Sequence, residues 1–167
     1  MSIRKIVSLV AAVAFTAVSA APAFAVTVSR ADGQAMNPNG EPFSATGLTA
    51  LAKGSINATC NATFNGTISS TGIVNITSTT FTGGATCGLI SGSATSASPW
   101  TGQADSATQL SINNVKVNVT LLGTCGPSKV VTTWNDPNSS LTFNNAVLTP
   151  DCTVGGTVVT SPKFHVQ

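Results

Sequence analysis

The polar residues of this chain are mainly threonine, serine and asparagine, and charged residues make up only 7% of its 167 positions. Threonine favours β-strands, whereas the exposed faces of soluble helices are usually built from lysine, glutamate and similar residues. A chain with so few charged residues has little from which to build an amphipathic helix. We therefore expect an all-β protein.

The clearest strand lies between Val115 and Leu121, where aliphatic and polar residues alternate. This alternation predicts one buried face and one solvent-facing face, with Leu121 on the buried side. The aliphatic residues of 110–112 alternate in the opposite phase. A bulge or a tight turn at Asn113–Asn114 would restore the register.

Turn-forming residues divide the rest of the chain into about eight to ten short strands. Such a series predicts an antiparallel two-sheet β-sandwich, of the jelly-roll or immunoglobulin-like type. The immunoglobulin signature is not cleanly present. Trp134 does lie between Cys125 and Cys152, but it stands beside a turn.

The four cysteines, Cys60, Cys87, Cys125 and Cys152, fall at two equal intervals of 27 residues (87 − 60 and 152 − 125). An even number of cysteines in an exported chain indicates disulfides, and four cysteines allow three pairings. Equal intervals suggest one hairpin unit used twice, so Cys60–Cys87 and Cys125–Cys152 are favoured. No Cys-x-x-Cys motif is present to suggest a metal site.

The first 25 residues have the pattern of a secretory signal peptide. Arg4 and Lys5 precede an apolar stretch, and Ala23-Phe24-Ala25 matches the small-residue cleavage pattern. The apolar stretch is shorter than the roughly 20 residues that a membrane-spanning helix needs. We expect cleavage after Ala25, a single domain over residues 26–167, and a location outside the cell or in the periplasm.

The expected mature domain carries no net charge. Two of the seven basic residues, Arg4 and Lys5, lie in the signal segment, and the remaining five balance the five acidic residues. Without a basic patch, nucleic acid is not an expected partner. A neutral surface instead favours adsorption to polymers, interfaces, the cell envelope or other copies of the chain, because like-charge repulsion is weak.

The residues that usually perform catalysis are few and scattered, so we expect no enzyme, no cofactor and no metal site. Most of the acidic residues neighbour glycine, proline or asparagine in turns, which does not suggest a pair of catalytic carboxylates. The only histidine, His165, could act as a base only if its strand reached a nucleophile. The oxygen-rich stretch 32–41 lacks the spacing of an EF-hand.

Trp100 and Trp134 are the two tryptophans of the chain, and each has two interpretations. They could contact an apolar or sugar ligand, or they could fill the core. Core packing is favoured because the chain has only seven phenylalanines and no tyrosine to fill its interior.

Several short motifs, in this order, resemble the protein activator of alkane oxidation (Pra) family, PraB-like members included. They are Phe43-Ser-Ala-Thr-Gly47, Cys60-Asn-Ala-Thr-Phe-Asn-Gly66, Pro99-Trp100, Ser111-Ile-Asn-Asn-Val115, Leu122-Gly-Thr-Cys-Gly126 and Cys152-x-Val154-x-Gly156. The resemblance covers most of residues 26–167. It implies a small exported protein that helps bacteria to grow on long-chain alkanes by acting on substrate access or uptake. It supplies no active-site residues.

Three functions follow from these expectations. The first is a non-enzymatic accessory protein that coats alkane droplets or the cell surface through an exposed apolar patch. The alternative is a fibre or biofilm-matrix subunit that assembles by strand pairing, with open edges at Val26–Val28 or Phe164–Val166. The third is a polysaccharide-binding module that uses Trp100 or Trp134.

Overall fold

A computed structural model of the protein describes residues 26–167. The expected signal peptide, residues 1–25, lies outside the described residues. Val26, the residue that would follow the expected cleavage site, is the first one described. The described part contains eleven strands and one short 3₁₀ helix, Ala85–Leu89. The strands are β1 Val28–Arg30, β2 Glu41–Lys53, β3 Ile56–Ile68, β4 Ile73–Gly83, β5 Ile90–Gly92, β6 Trp100–Ser106, β7 Gln109–Val119, β8 Gly123–Asn135, β9 Ser140–Leu148, β10 Cys152–Ser161 and β11 Phe164–Val166. The prediction of an all-β protein is confirmed.

The main sheet is a closed eight-stranded barrel, so the predicted two-sheet sandwich is wrong. The sheet order is β5-β7-β6-β4-β3-β2-β10-β9-β8. A further pairing of β8 with β7 closes the ring of eight, and the short β5 pairs with the last part of β7, Ile90 opposite Val119. Neighbouring strands are mostly consecutive hairpins, which a sandwich and a barrel share. The pairing of β10 with β2, more than 90 residues apart in the chain (152 − 53 = 99), makes the difference. No local sequence pattern predicts the pairing of β10 with β2.

Glycines allow the barrel to close where β2 and β10 meet, because the two backbones approach too closely there for a side chain to fit. A Cβ at Gly47 would overlap the carbonyl oxygen of Thr157, and one at Gly156 would overlap that of Leu48. Gly156 also has a φ of +126° and follows a register shift in β10. Glycines and bulges of this kind let strands bend at the corners of a barrel.

Strand β7 follows the sequence-based expectation except at its end. The register with β8 shifts between Ile112 and Val115, around the asparagine pair where a bulge or turn was predicted. Val115, Val117 and Val119 then point inward and are buried. Leu121 does not, because β7 ends at Val119, and the prediction that Leu121 is buried is wrong.

A two-stranded ribbon, β1 paired with β11, covers one end of the barrel. Val28, Phe164 and Val166 point from this ribbon into the core and are buried. The two segments expected to offer open edges therefore pair with each other, Val28 opposite Val166. We call this end the ribbon end.

The two disulfides lie toward the opposite end, which we call the disulfide end. Cys60 joins Cys87 and Cys125 joins Cys152, with Cα–Cα distances of 5.7 and 6.0 Å. These are the pairs that the equal intervals favour. The first ties the 3₁₀ helix to β3, and the second ties β8 to β10. Nothing helical in residues 26–167 has the length and hydrophobicity that a membrane-spanning helix requires.

Candidate functional site

Apolar cavities of about 60 and 30 Å³ lie between the inward faces of the described strands. The larger lies toward the ribbon end, beside Phe164 and Val166, and the smaller toward the disulfide end, beside Cys60. Both are lined by four shared residues, Phe64, Trp100, Val115 and Phe143. The cavities therefore follow one another along the barrel, separated by an aromatic cluster.

The aromatic cluster is centred on Phe64. Its ring lies 6.2 Å from that of Phe81, 6.3 Å from Trp100 and 5.9 Å from Phe143, all in edge or tilted contacts. These separations suit favourable aromatic pairs. The larger cavity nevertheless leaves unfilled space that lowers stability by about 1.5 kcal/mol, at ~24 cal/mol per Å³ of cavity.

Both tryptophans line the larger cavity, and their indoles are buried, 4% exposed for Trp100 and 7% for Trp134. Each indole N–H has a partner: Trp100 Nε1 donates to Ser93 Oγ at 3.1 Å, and Trp134 Nε1 donates to Asp136 Oδ1 at 3.1 Å. Neither ring offers a flat exposed face on which a sugar could stack. The predicted contact of Trp100 or Trp134 with an apolar ligand remains a prediction.

One side of the larger cavity reaches the surface at the turn between β6 and β7. Ser106 and Gln109 flank this turn, are exposed, and still line the cavity with their carbon atoms. Among residues 26–167, no charged side chain lines either cavity. The interior is thus apolar with a neutral polar mouth.

A second apolar feature lies at the disulfide end, in the turn Thr120–Gly123 between β7 and β8, which we call the leucine turn. Leu121 is 93% exposed and Leu122 is 38% exposed. Leu121 has a φ of +74°, a left-handed conformation that is unfavourable for a leucine. A bulky apolar side chain that is both strained and fully exposed is a candidate for a binding function.

Charged residues are few near the leucine turn. The only ion pair at this end joins Lys53 Nζ to Asp151 Oδ1 at 2.6 Å, among the residues that the structure describes. Thr120 N–H donates to Leu89 O at 2.8 Å and Leu122 N–H to Val119 O at 3.0 Å, which fixes the turn against the 3₁₀ helix and β7.

The leucine turn is the feature that sequence reasoning missed, because the alternation of aliphatic and polar residues in β7 continues through Leu121 in the sequence. Gly123, directly after the two leucines, was the available signal, since glycine commonly marks the end of a turn. Two leucines that precede a glycine at the end of an alternating strand fit a turn as well as they fit a further strand residue.

The acidic residues fall into structural contacts. Arg30 pairs with Asp32 and Glu41, both at 2.5 Å. The hydrogen bond from Arg30 lowers the pKa of Asp32 to about 2. Glu41 also accepts the backbone N–H of Asn37 at 2.9 Å, so the oxygen-rich stretch is held by this arginine.

Asp136 ties the ribbon to the turn between β8 and β9. It contacts His165 Nδ1 at 2.6 Å and accepts the N–H of Val166 at 2.7 Å as well as the indole N–H of Trp134. Partial burial by itself would raise the pKa of Asp136, but these hydrogen bonds outweigh it and hold the pKa below its usual value. In the described residues no hydrogen bond joins the other ring nitrogen of His165 to a hydroxyl.

One cluster has the composition of a metal site, Cys125, Asp151 and Cys152. Its two sulfurs are joined in a disulfide, so they are not thiolate ligands. Its carboxylate is paired with Lys53. The cluster is therefore explained by structural contacts.

Comparison with known proteins gives one match. No curated protein and no solved structure is significantly similar to the chain. The family model described as alkane oxidation protein activator, PraA/PraB-like, matches residues 1–167. The resemblance inferred from the short motifs is thus confirmed, and this chain belongs to the PraA/PraB-like family of alkane oxidation activators.

Proposed function

We propose that the protein is an exported, non-enzymatic accessory factor that promotes growth on long-chain alkanes by adsorbing at alkane–water interfaces through the leucine turn. The family is described as an activator of alkane oxidation, which supports an accessory role. The observation that carries the proposal is the strained, fully exposed Leu121 at an end of the barrel with no unpaired charge in the described loops.

The energy available from the leucine turn is sufficient for reversible adsorption. Burying a whole leucine side chain in an apolar phase gives about 1.5–3 kcal/mol. Leu121 and Leu122 together expose little more than one such side chain, so they contribute about 2–4 kcal/mol. That is a contribution of about 30-fold or more to the adsorption constant. Adsorption of many copies would coat a droplet or the cell surface.

The rest of the molecule suits this role. The two disulfides and the closed barrel hold the leucine turn on a rigid support, so little further ordering is needed on adsorption. The outer wall carries mainly threonine, serine and asparagine, which keeps it hydrated. Disulfides also suit an oxidising compartment, and we place the protein outside the cell, with the periplasm as the alternative.

The test is the hexadecane–water interfacial tension measured with purified, disulfide-bonded protein. The native protein is expected to lower the tension at micromolar concentration. Leu121→Asn/Leu122→Asn is expected to need at least 30-fold more protein for the same effect. Asparagine tolerates the left-handed conformation, so this variant keeps the fold.

The matched control makes the same change at two exposed aliphatic residues of the barrel wall, Leu48→Asn/Val131→Asn. It is expected to retain the native effect. Native protein that leaves the tension at the buffer value would refute interfacial adsorption. An equal loss in both double variants would refute the assignment to the leucine turn.

A fibre or biofilm-matrix subunit is the second candidate, and one observation favours it. Strand β4 pairs with β3 along most of its length, but with β6 only over Ile73–Ile76. Residues 77–83 have no second strand partner among the described strands, but Gly92 of β5 lies against Thr79 and the 3₁₀ helix lies beside the same edge. A second copy could add a strand there only by displacing these two elements. Electron microscopy of culture supernatants tests this candidate function. Fibres would support it, and monomers alone would count against it.

A further inference from the structure

The two interior cavities have a shape and lining that suit a particular kind of ligand. They lie in series along the barrel, and the larger is open to solvent at Ser106 and Gln109. Barrels of eight strands are just wide enough to be filled by side chains or to hold one small ligand. This barrel is not completely filled.

We propose that the barrel interior is a binding site for one unbranched aliphatic chain, which enters end-on at the mouth beside Ser106 and Gln109. This site is separate from the leucine turn, which lies at the other end of the barrel. The chain would first fill the larger cavity and then reach Phe64, where the smaller cavity begins.

The chemistry of the lining selects an apolar occupant. The exposed lining of the larger cavity is entirely apolar, so a water molecule there would lack the two to four polar partners that it needs. The lining also carries no charge that could pair with an ionic group inside the barrel. An aliphatic chain restores the contacts that the unfilled space leaves unmade.

The dimensions select a chain over a ring. A compact ring must fit within one cavity, and the larger cavity, at about 60 Å³, is well below the roughly 150 Å³ that accommodates benzene. An aliphatic chain can instead extend through both cavities once the Phe64 ring turns aside. The two cavities together are still smaller than the benzene cavity, so chains of six or more carbons also require the lining side chains to move apart. Ser106 and Gln109 line the cavity with carbon atoms, so the hydroxyl of a primary alcohol would meet their polar groups only at the surface, outside the cavity.

The binding experiment uses purified, disulfide-bonded protein and its intrinsic fluorescence, because both tryptophans line the larger cavity. The probes are 1-pentanol to 1-octanol, n-hexane and cyclohexanol. The affinity for the alcohols is expected to rise about fourfold with each added methylene until the chain fills the interior. Cyclohexanol is expected to bind at least tenfold more weakly than 1-hexanol.

The n-hexane arm distinguishes the two sources of such a chain. If n-hexane binds as tightly as 1-hexanol, the chain alone is recognised and the alkane itself is the ligand. If the alcohol binds more tightly, the mouth recognises the polar end and the ligand is a terminally oxidised chain. Absence of saturable binding for both probes would overturn the proposal.

Two substitutions on one strand supply the matched control. Ala45 is buried and lines the larger cavity, whereas Ala50, on the same strand, is exposed on the outside. Ala45→Leu is expected to weaken 1-hexanol binding at least tenfold, and Ala50→Leu to leave it unchanged. Equal affinities in the two variants would overturn the assignment of the site.

Milder variants cover the case in which Ala45→Leu does not fold. Val158→Ile adds one methyl group to the larger cavity and is expected to weaken binding about fourfold. Phe64→Leu opens the passage between the cavities and is expected to strengthen binding of 1-octanol more than that of 1-pentanol. The opposite order would overturn the end-on arrangement.

The interior site and the leucine turn can fail independently. Leu121→Asn/Leu122→Asn is expected to bind 1-hexanol with the native affinity, and Val158→Ile to lower the hexadecane–water tension as the native protein does. Chain binding that disappears in the leucine-turn variant would place the ligand at the turn and overturn the interior site.

Discussion

Removal of the Asp136 carboxylate is expected to release the ribbon that covers one end of the barrel. Asp136 interacts with three groups: His165 Nδ1, the backbone N–H of Val166 and the indole of Trp134. A hydrogen bond to a charged group is worth about 1.5–3 kcal/mol. Because the Asp136 side chain is 32% exposed, solvent reduces each to about 1 kcal/mol. Asp136→Ala therefore lowers the free energy of unfolding by about 3 kcal/mol.

The assay is urea unfolding at pH 7 followed by tryptophan fluorescence, with hydrogen exchange of the Val166 amide as a local measurement. Asp136→Asn keeps an acceptor oxygen and loses the charge, so we expect it to lower the free energy of unfolding by about 1 kcal/mol. Asp105→Ala is the control, because among the described residues that carboxylate accepts one side-chain hydrogen bond, from Ser111 Oγ. A native unfolding midpoint in Asp136→Ala would refute the view that this carboxylate holds the ribbon.

The same carboxylate makes this contribution dependent on pH. The pKa of Asp136 is lowered in the folded protein, so its contribution is fully present above the unfolded pKa of about 4 and is lost as the pH falls through the folded pKa. The stabilities of the native protein and Asp136→Asn are therefore expected to converge as the pH falls through the lowered, folded-state pKa of Asp136. Urea titrations from pH 2 to 7 measure the difference, and a constant difference across that range would contradict the assignment.

Three further predictions concern the barrel. Replacing both cysteines of either disulfide by serine is expected to lower the free energy of unfolding by about 3.5 kcal/mol in the chain-entropy model. The two values should be similar, because both disulfides span the same sequence separation of 27. Calorimetry that finds one disulfide without effect would contradict this prediction. Leu121→Gly relieves the strain of the left-handed conformation and is expected to raise the free energy of unfolding by about 1 kcal/mol, seen as a higher urea midpoint. A lower midpoint would show that the leucine side chain stabilises the turn. Gly47→Ala places a Cβ against the carbonyl oxygen of Thr157. It is expected to lower the free energy of unfolding by more than about 2 kcal/mol, in the upper part of the usual range for single substitutions. Near-native stability would show that the pairing of β2 with β10 tolerates a side chain at this position.

Much of the architecture could be predicted from local pattern, because local pattern is what strands and hairpins depend on. Threonine-rich alternation predicted the strands, and the bulge near Asn114 followed from a change of phase. The closure into a barrel could not be predicted in this way, because it depends on β10 reaching β2 across most of the chain. A sandwich and a barrel share the same hairpins and differ only in such long-range pairings.

The candidate sites were harder to predict than the fold. The buried tryptophans were expected as core residues, but a cavity between them depends on how all eight strands pack. Leu121 was assigned to the wrong environment because an alternating pattern does not show where a strand ends. The link between Asp136 and His165 joins residues 29 positions apart and depends on the path of the ribbon, which has no local signature.

Hydrogen exchange of the native protein in a hexadecane emulsion, resolved by mass spectrometry, measures directly which part of the molecule meets the alkane. We predict that exchange in the leucine turn, Thr120–Gly123, is slower in the emulsion than in emulsion-free buffer, and that exchange in the ribbon strands β1 and β11 is unchanged. Unchanged exchange in the leucine turn, or protection confined to the ribbon end, would contradict it.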